Sequence, residues 1–390
     1  MSEAKKADLV AIARGYVDEL TRRADEIEQT RHLPQDIADR MTRDGLYHVC
    51  VPREYGGSER SPRIYAEVVE TLATGDASAA WCVFIGITST FSIASGQTET
   101  ARELLTAPGM IASGAFAPSG RAVKAVRDGV SGYVVNGRWQ WGSGSRNSTV
   151  IGGGVFVADQ AGNIVPGPDG KPQFLLVNFL AKEVDLLDTW TVTGLQGTGS
   201  TDYQVKDVFV PEGRAYSFGA PKPSYPIFLF PNFGILSIGI GAVALGSARA
   251  AINDFLEFAG SKVPQGGTKA LSQRQTAQKD LAKAEAAVRS GRAFFYEAID
   301  AAWAAALKGE MSIDHKRDLR LATTNAVHLS RQAVALIFEL AGGTAVYRRS
   351  PLQRRFRDIH VAAQHVMVNQ ATYETMGRLL FGLETDTSLY

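Results

Sequence analysis

Hydrophobic periodicity changes twice along this chain, and that pattern limits the folds open to it. Up to about residue 107 apolar residues recur three and four apart, as in Leu9, Ile12, Ala13, Tyr16, Val17 and Leu20, then Ile37, Met41 and Leu46. That is the stripe of amphipathic helices, with Pro34 suited to a first helical turn and Gly45 to a helix end. Between about 110 and 210 the period drops to two, through Tyr133, Val135, Val150, Val155, Val157, Phe174, Leu176 and Val177, with glycines and Asn136-Gly137 as turn signals. From about 234 the helical period returns over 235–259, 273–306, 315–340 and 351–380, in alanine-rich stripes that suit a four-helix bundle. The expected fold class is α+β. It comprises an N-terminal helical domain at 1–107, a central antiparallel β-barrel or sandwich domain at 108–225 and a C-terminal four-helix bundle at 226–390.

With 390 residues, 45% of them hydrophobic and 21% charged, the chain can bury a large core in two or three cooperating domains. A net charge of +1, with no basic run interleaved with aromatics, argues against a nucleic-acid partner. Two cysteines, Cys50 and Cys82, are too few for a disulfide framework and suit a reducing cytoplasm. The six histidines form no paired-ligand spacing, so no metal is expected. The N-terminus carries acids throughout and reads as a first helix rather than a targeting signal. Residues 223–248 carry no charge, but the helical part, 235–248, is only 14 residues long before Arg249 and falls short of about 30 Å of hydrocarbon. A buried core helix and no membrane partner are expected.

Candidate chemistry gathers at residues 338–369, FELAGGTAVYRRSPLQRRFRDIHVAAQHVMVN. Gly342 and Gly343 permit close backbone approach to a phosphate-bearing ligand, and Pro351 suits the first turn of a helix. On that helix Arg354, Asp358 and His365 share a face, with Asn369 one turn later. The basic cluster Arg348, Arg349, Arg354, Arg355 and Arg357 suits either a solvated face or an anion site. Within the β region three loops set Gly, Ser or Thr beside aromatic or apolar residues. They are GAFAPSGRAV (114–123), WQWGSGSRN (139–147) and TWTVTGLQGTGSTD (189–202). Each alone reads as a turn. Dinucleotide, P-loop and Gly-x-Ser-x-Gly patterns are absent.

Taken in order and spacing, these segments resemble the two-component, group D flavin-dependent monooxygenases of the acyl-CoA dehydrogenase fold superfamily. The N-terminal VPREYGG and GDASAAW segments, GLQGTGSTD, and the order AGG, tyrosine, SPLQRRFRD, histidine carry the likeness. Where true dehydrogenases hold a glutamate base, this chain reads His365-Val366-Met367-Val368, which points to the oxygenase branch.

That resemblance implies an oxygenase component that takes reduced flavin (FMNH2 or FADH2) from a separate flavin reductase. Such a component adds O2 to give a C4a-hydroperoxyflavin and oxygenates a small aromatic or heteroatom-bearing molecule. It implies Phe116, Ala117 and Pro118 at the flavin pyrimidine edge, Trp141 against the isoalloxazine and Ser143 at flavin N5, with Thr198 and Ser200 as further polar candidates. Gly342 and Gly343 would also serve the cofactor, and Trp81 and Thr88 the substrate. His365, near an ordinary pKa of about 6.5, would deprotonate a phenol-like substrate or steady the distal oxygen, with Asn369 orienting its ring. A homotetramer, built as a dimer of dimers, is the family habit.

Two departures stand out. The Arg-x-x-Phe-Gly-x-Pro-Ile pattern that grips the FAD pyrophosphate is missing, with Lys262, Pro264 and glycines in its region, which implies loose binding of a reduced flavin. The second histidine of many aromatic hydroxylases is replaced by Thr88, Ser89, Thr90 and Phe91, which leaves an indole or an N- or S-oxygenated substrate open. Two rival readings are an acyl-CoA dehydrogenase with its base elsewhere, such as Glu374, and a catalytically silent oligomeric flavoprotein.

Overall fold

The computed structural model describes residues 8–96, 99–167, 170–217, 225–387 and 389–390. Residues 1–7, where the first helix was expected to begin, and 223–224 of the uncharged stretch lie outside the described residues. Among the described residues six helices come first: α1 (Leu9–Arg22), α2 (Ala24–Thr30), α3 (Gln35–Arg43), α4 (Pro62–Gly75), α5 (Ala77–Ser95) and α6 (Glu99–Thr106). Three of these starts follow from capping chemistry. The Asp8 carboxylate accepts from the N–H groups of Val10 and Ala11, Ser61 caps α4 ahead of Pro62, and buried Asp76 accepts from Ala79 N at 2.8 Å to start α5.

Seven strands follow among the described residues: β1 (Ala112–Arg127), β2 (Val130–Gly142), β3 (Val150–Ala158), β4 (Phe174–Leu180), β5 (Asp185–Leu187), β6 (Thr201–Pro211) and β7 (Ala215–Tyr216). They form one sheet in the order β5-β6-β2-β1-β3-β4-β7. The expected all-antiparallel domain is corrected here, because β1 and β3 pair in parallel. β2 returns antiparallel to β1 and ends beside its start, and residues 143–149 then step past that start to launch β3 in the direction of β1. The Ile111 carbonyl pins this step by accepting from Thr149 N and Val150 N. Asn136-Gly137 is not a turn either. Both residues lie inside β2 opposite Arg121 and Gly120, and the β1–β2 hairpin turns at Asp128-Gly129, with φ of 54° and 77°. The sheet buries its own core around Trp139, which stacks on Tyr203 with ring centroids 5.3 Å apart.

The remaining helices are α7 (Asn232–Ala259), α8 (Gln275–Lys308), α9 (Ile313–Ala341), α10 (Pro351–Ala362) and α11 (Ala371–Leu380). α7 runs on through Arg249 to 28 residues, so the length argument against a membrane span does not hold for it. Burial replaces that argument: 94% of its most apolar window lies inside the protein, as does 89% of the corresponding window in α5. The fourth bundle helix is broken. Residues 363–370 form turns between α10 and α11, so His365 and Asn369 do not continue the face of Arg354 and Asp358. The break has a tertiary cause. Arg320 donates to the Met367 carbonyl at 3.3 Å, and His328 Nε2 donates to that of Val368 at 3.0 Å, so α9 takes acceptors that a continuing helix would use. The N-terminal and C-terminal helices share a single hydrophobic core, in which residues of α1, α4 and α5 pack with residues of α7, α8 and α9.

Candidate functional site

The step from β2 to β3 carries the chain out of the sheet and onto α5. Gly144 turns there at φ +74°, a left-handed conformation that favours glycine, and its N–H donates to the Thr198 carbonyl at 2.8 Å. The second and third loops of the sequence reading are thereby joined. Ser143 is buried. Its Oγ lies 2.6 Å from Ser200 Oγ and accepts from Trp81 Nε1 at 3.2 Å. Ser200 Oγ is in turn 2.6 Å from Thr198 Oγ1, whose hydroxyl donates to the Leu195 carbonyl at 2.7 Å. One residue before Gly142, Trp141 adopts φ +64° and leaves 68% of its surface exposed. A large ring held in a strained backbone conformation beside a buried hydroxyl suits stacking against a planar ligand.

The 189–202 loop is fixed from α10. The Asp358 carboxylate accepts from Leu195 N at 2.6 Å, holding Leu195 at φ +52°, and the Leu195 carbonyl also accepts from Trp190 Nε1 at 3.1 Å. Gly194 allows the approach, since a Cβ there would lie 2.4 Å from the Arg357 carbonyl. Burial, together with the negative charge of neighbouring Asp76, pushes the Asp358 carboxyl up to about 7, against the pull of the Leu195 N–H and of Arg357 and Arg354. Sequence reasoning missed Asp358 as the anchor of this loop; only its buried position on the α10 face signals it.

The basic cluster belongs to the same clamp and is neither a solvated face nor an anion site at its α10 members. Arg354 pairs with Glu28 and Asp25, Arg357 pairs with Glu28, and Arg355 pairs with Asp254 at 2.7 Å. Arg348 and Arg349 remain on the surface.

His365 stands across from Trp81, with ring centroids 6.0 Å apart, so Trp81 touches both Ser143 and His365. The expected ordinary pKa is corrected, because burial first and the positive charge of Arg320 second push the imidazole down to about 4. It is neutral at pH 7. Its Nδ1 accepts from Met367 N at 3.2 Å, which leaves the proton on Nε2 and makes the free nitrogen a hydrogen-bond donor. Asn369 is used otherwise than expected: its side-chain carbonyl accepts from Ala371 N at 3.1 Å at the start of α11.

Thr88 is also corrected. It is buried in the helical core, with its hydroxyl donated to the Phe84 carbonyl at 2.9 Å. The next residue, Ser89, instead borders a small cavity together with Ser92, Ser113, Phe116, Asn178 and Tyr216. Phe116 lies edge-on to Phe233 of α7 in an irregular part of β1, and Ala117 and Pro118 are exposed. Gly342 and Gly343 are exposed at the end of α9, where Lys262 donates to the Ala341 carbonyl at 2.6 Å and to Thr344. Lys262 is therefore committed to a helix end. Glu374, the base of the rival dehydrogenase reading, is exposed on α11.

Comparison with known proteins agrees with this architecture. Residues 4–108 match the family model "Acyl-CoA dehydrogenase, N-terminal domain", and residues 238–370 match "Acyl-CoA dehydrogenase, C-terminal domain". The chain is 33% identical to an indole-3-acetate monooxygenase of Pseudomonas putida, over 92% of this chain and 90% of that one. It is 29% identical to a flavin-dependent monooxygenase oxygenase subunit, HsaA, of Rhodococcus jostii, over 94% and 97% of the two chains. A crystal structure of 3-HSA hydroxylase from a Rhodococcus species superposes with a TM-score of 0.86 at 25% identity, covering 98% of this chain and 99% of that one.

Proposed function

The chain belongs to the flavin-dependent monooxygenases built on the acyl-CoA dehydrogenase fold, as an oxygenase component, and from that membership we propose how its own residues serve the reaction. The flavin is taken up reduced, from a separate reductase, and when bound supplies the electrons that activate O2. Trp141 would lie against the ring system, and Ser143 would meet N5. The observation that carries this reading is the pairing of an exposed, left-handed Trp141 with the buried Ser143 hydroxyl, two residues apart and backed by Trp81. His365 serves as a neutral donor toward an oxygen atom rather than as a base, in keeping with its lowered pKa and occupied Nδ1. A substrate that needs no deprotonation follows, and an indole-type ring fits better than a phenol. The likeness to an indole-3-acetate monooxygenase supports the same choice.

The test combines the protein with a flavin reductase, NADH, O2 and either indole-3-acetate or p-hydroxyphenylacetate. An oxygenated product from the indole, absent without the reductase, is expected. Oxidation of an acyl-CoA thioester by an artificial acceptor, independent of O2 and reductase, would overturn the assignment.

The same reading places the enzyme in the cytoplasm, which suits the free, buried Cys50 and Cys82, and makes it a homotetramer. Supporting the tetramer are apolar side chains left open at the end of α11, with Leu380 and Phe381 62% and 85% exposed. Sedimentation at micromolar concentration should show the tetramer, and a monomer alone would remove it.

A further inference from the structure

The hydroxyls behind Ser143 form a chain whose direction can be worked out by counting hydrogens. A backbone carbonyl has no proton to give, so at the Leu195 end Thr198 must be the donor, at 2.7 Å. Thr198 has one hydroxyl hydrogen, and that bond uses it. At the 2.6 Å contact between Thr198 and Ser200, Ser200 must therefore donate. Its single hydrogen is now also used, so at the 2.6 Å contact between Ser200 and Ser143 the donor is Ser143. The remaining contact of Ser143 is the indole N–H of Trp81, which can only donate to it. Ser143 is left with no hydrogen to offer outward and one lone pair free. Reversing the chain would set the Thr198 oxygen against the Leu195 carbonyl with no proton between them. All three hydroxyl residues are buried, so water does not readily rescue the reversed arrangement.

We propose that Thr198 and Ser200 are positioning residues that lock Ser143 as a hydrogen-bond acceptor, so that the site favours a flavin whose N5 carries hydrogen over an oxidised flavin whose N5 is itself an acceptor. The proposal rests on the reading that Ser143 meets N5, and it adds to that reading a source of redox-state selectivity. Ser143 accepts from the N5–H of reduced flavin and faces the bare N5 of oxidised flavin lone pair to lone pair. Oxidised flavin is thereby disfavoured, which keeps the site open for the reduced form delivered by the reductase.

The experiment measures dissociation constants of dithionite-reduced and of oxidised FMN and FAD under anaerobic conditions, in the full-length protein and in four variants. Thr198→Val removes the acceptor for Ser200, which can then donate to Ser143 and free the Ser143 hydrogen to point outward. Ser200→Ala frees that hydrogen directly. In both, the ratio of oxidised to reduced dissociation constants is expected to fall by about twofold to tenfold, the equivalent of one neutral hydrogen bond. Thr198→Ser keeps the hydroxyl and should keep the ratio. A loop that merely lost rigidity would weaken both redox states together and leave the ratio alone.

Ser143→Ala separates the two levels of argument. An unchanged ratio there removes Ser143 from N5. A lowered ratio in Ser143→Ala with parental ratios in both Thr198→Val and Ser200→Ala overturns the directional chain alone. If Thr198→Val does not fold, Ser200→Ala decides by itself.

Discussion

Replacing His365 by alanine is expected to lower product formation by about two orders of magnitude or more, while reduced-flavin binding changes little. A single preorganised donor or a positioned acid or base is worth roughly 10² to 10⁴ in rate. One further variant separates the possible roles of the ring. His365→Gln keeps a neutral N–H donor and should recover part of the loss, whereas a ring acting as a base would leave glutamine as inactive as alanine. The pH profile tests the environment of the ring instead. Because the imidazole is held down to about 4, any acid limb due to His365 should lie near that pH, with a flat rate through its usual titration range around 6.5. Product formation by His365→Ala at the parent rate would make the histidine structural.

Arg355→Ala should be the most damaging single change to stability among the α10 arginines. The Arg355 side chain is 8% exposed and its partner Asp254 is 16% exposed, and the guanidinium also donates to the Thr74 carbonyl at 3.1 Å, so one side chain ties α10 to α7 and to the end of α4. Removing it leaves a largely buried carboxylate without its partner, at a cost of about 3 to 5 kcal/mol. Replacing both partners by apolar residues, as in Arg355→Met with Asp254→Leu, should be much milder, since the stranded charge goes too. Urea unfolding of Arg355→Ala and of the double variant checks this. A loss under about 1 kcal/mol in Arg355→Ala would mean that water reaches Asp254 and the pair counts for little.

Periodicity made the helix–sheet–helix order legible, and the family likeness singled out Ser143, Trp81 and His365, which the structure brings together around the Trp81 indole. What stayed hidden depended on contacts distant in sequence. Nothing in AAQHVMVNQ marks a helix end, having neither glycine nor proline, and the break there comes from Arg320 and His328 on another helix. The parallel β1–β3 pairing follows from where β2 happens to finish, which alternation of side chains does not encode. Asn136-Gly137 has the composition of a hairpin turn, yet Asp128-Gly129 turns instead, and Asn136 is used to bond Asp207 across an irregularity between β2 and β6. The arginines of α10 were ambiguous for a related reason: their acids lie on α2 and α7, far away along the chain.

The single core shared by the first and last helices has a consequence for how this protein is made. On a ribosome adding about 5 to 20 residues per second, α1, α4 and α5 emerge long before α7 reaches the tunnel exit. During that interval α5, apolar on nearly all sides, has no partner to cover the face that α7 later occupies. The nascent chain is therefore expected to self-associate unless a holding chaperone covers α5 or synthesis is completed rapidly. Premature termination anywhere before α7 should yield an insoluble fragment rather than a folded N-terminal domain, and the solubility of the protein in a foreign host should respond to translation speed and holdase supply.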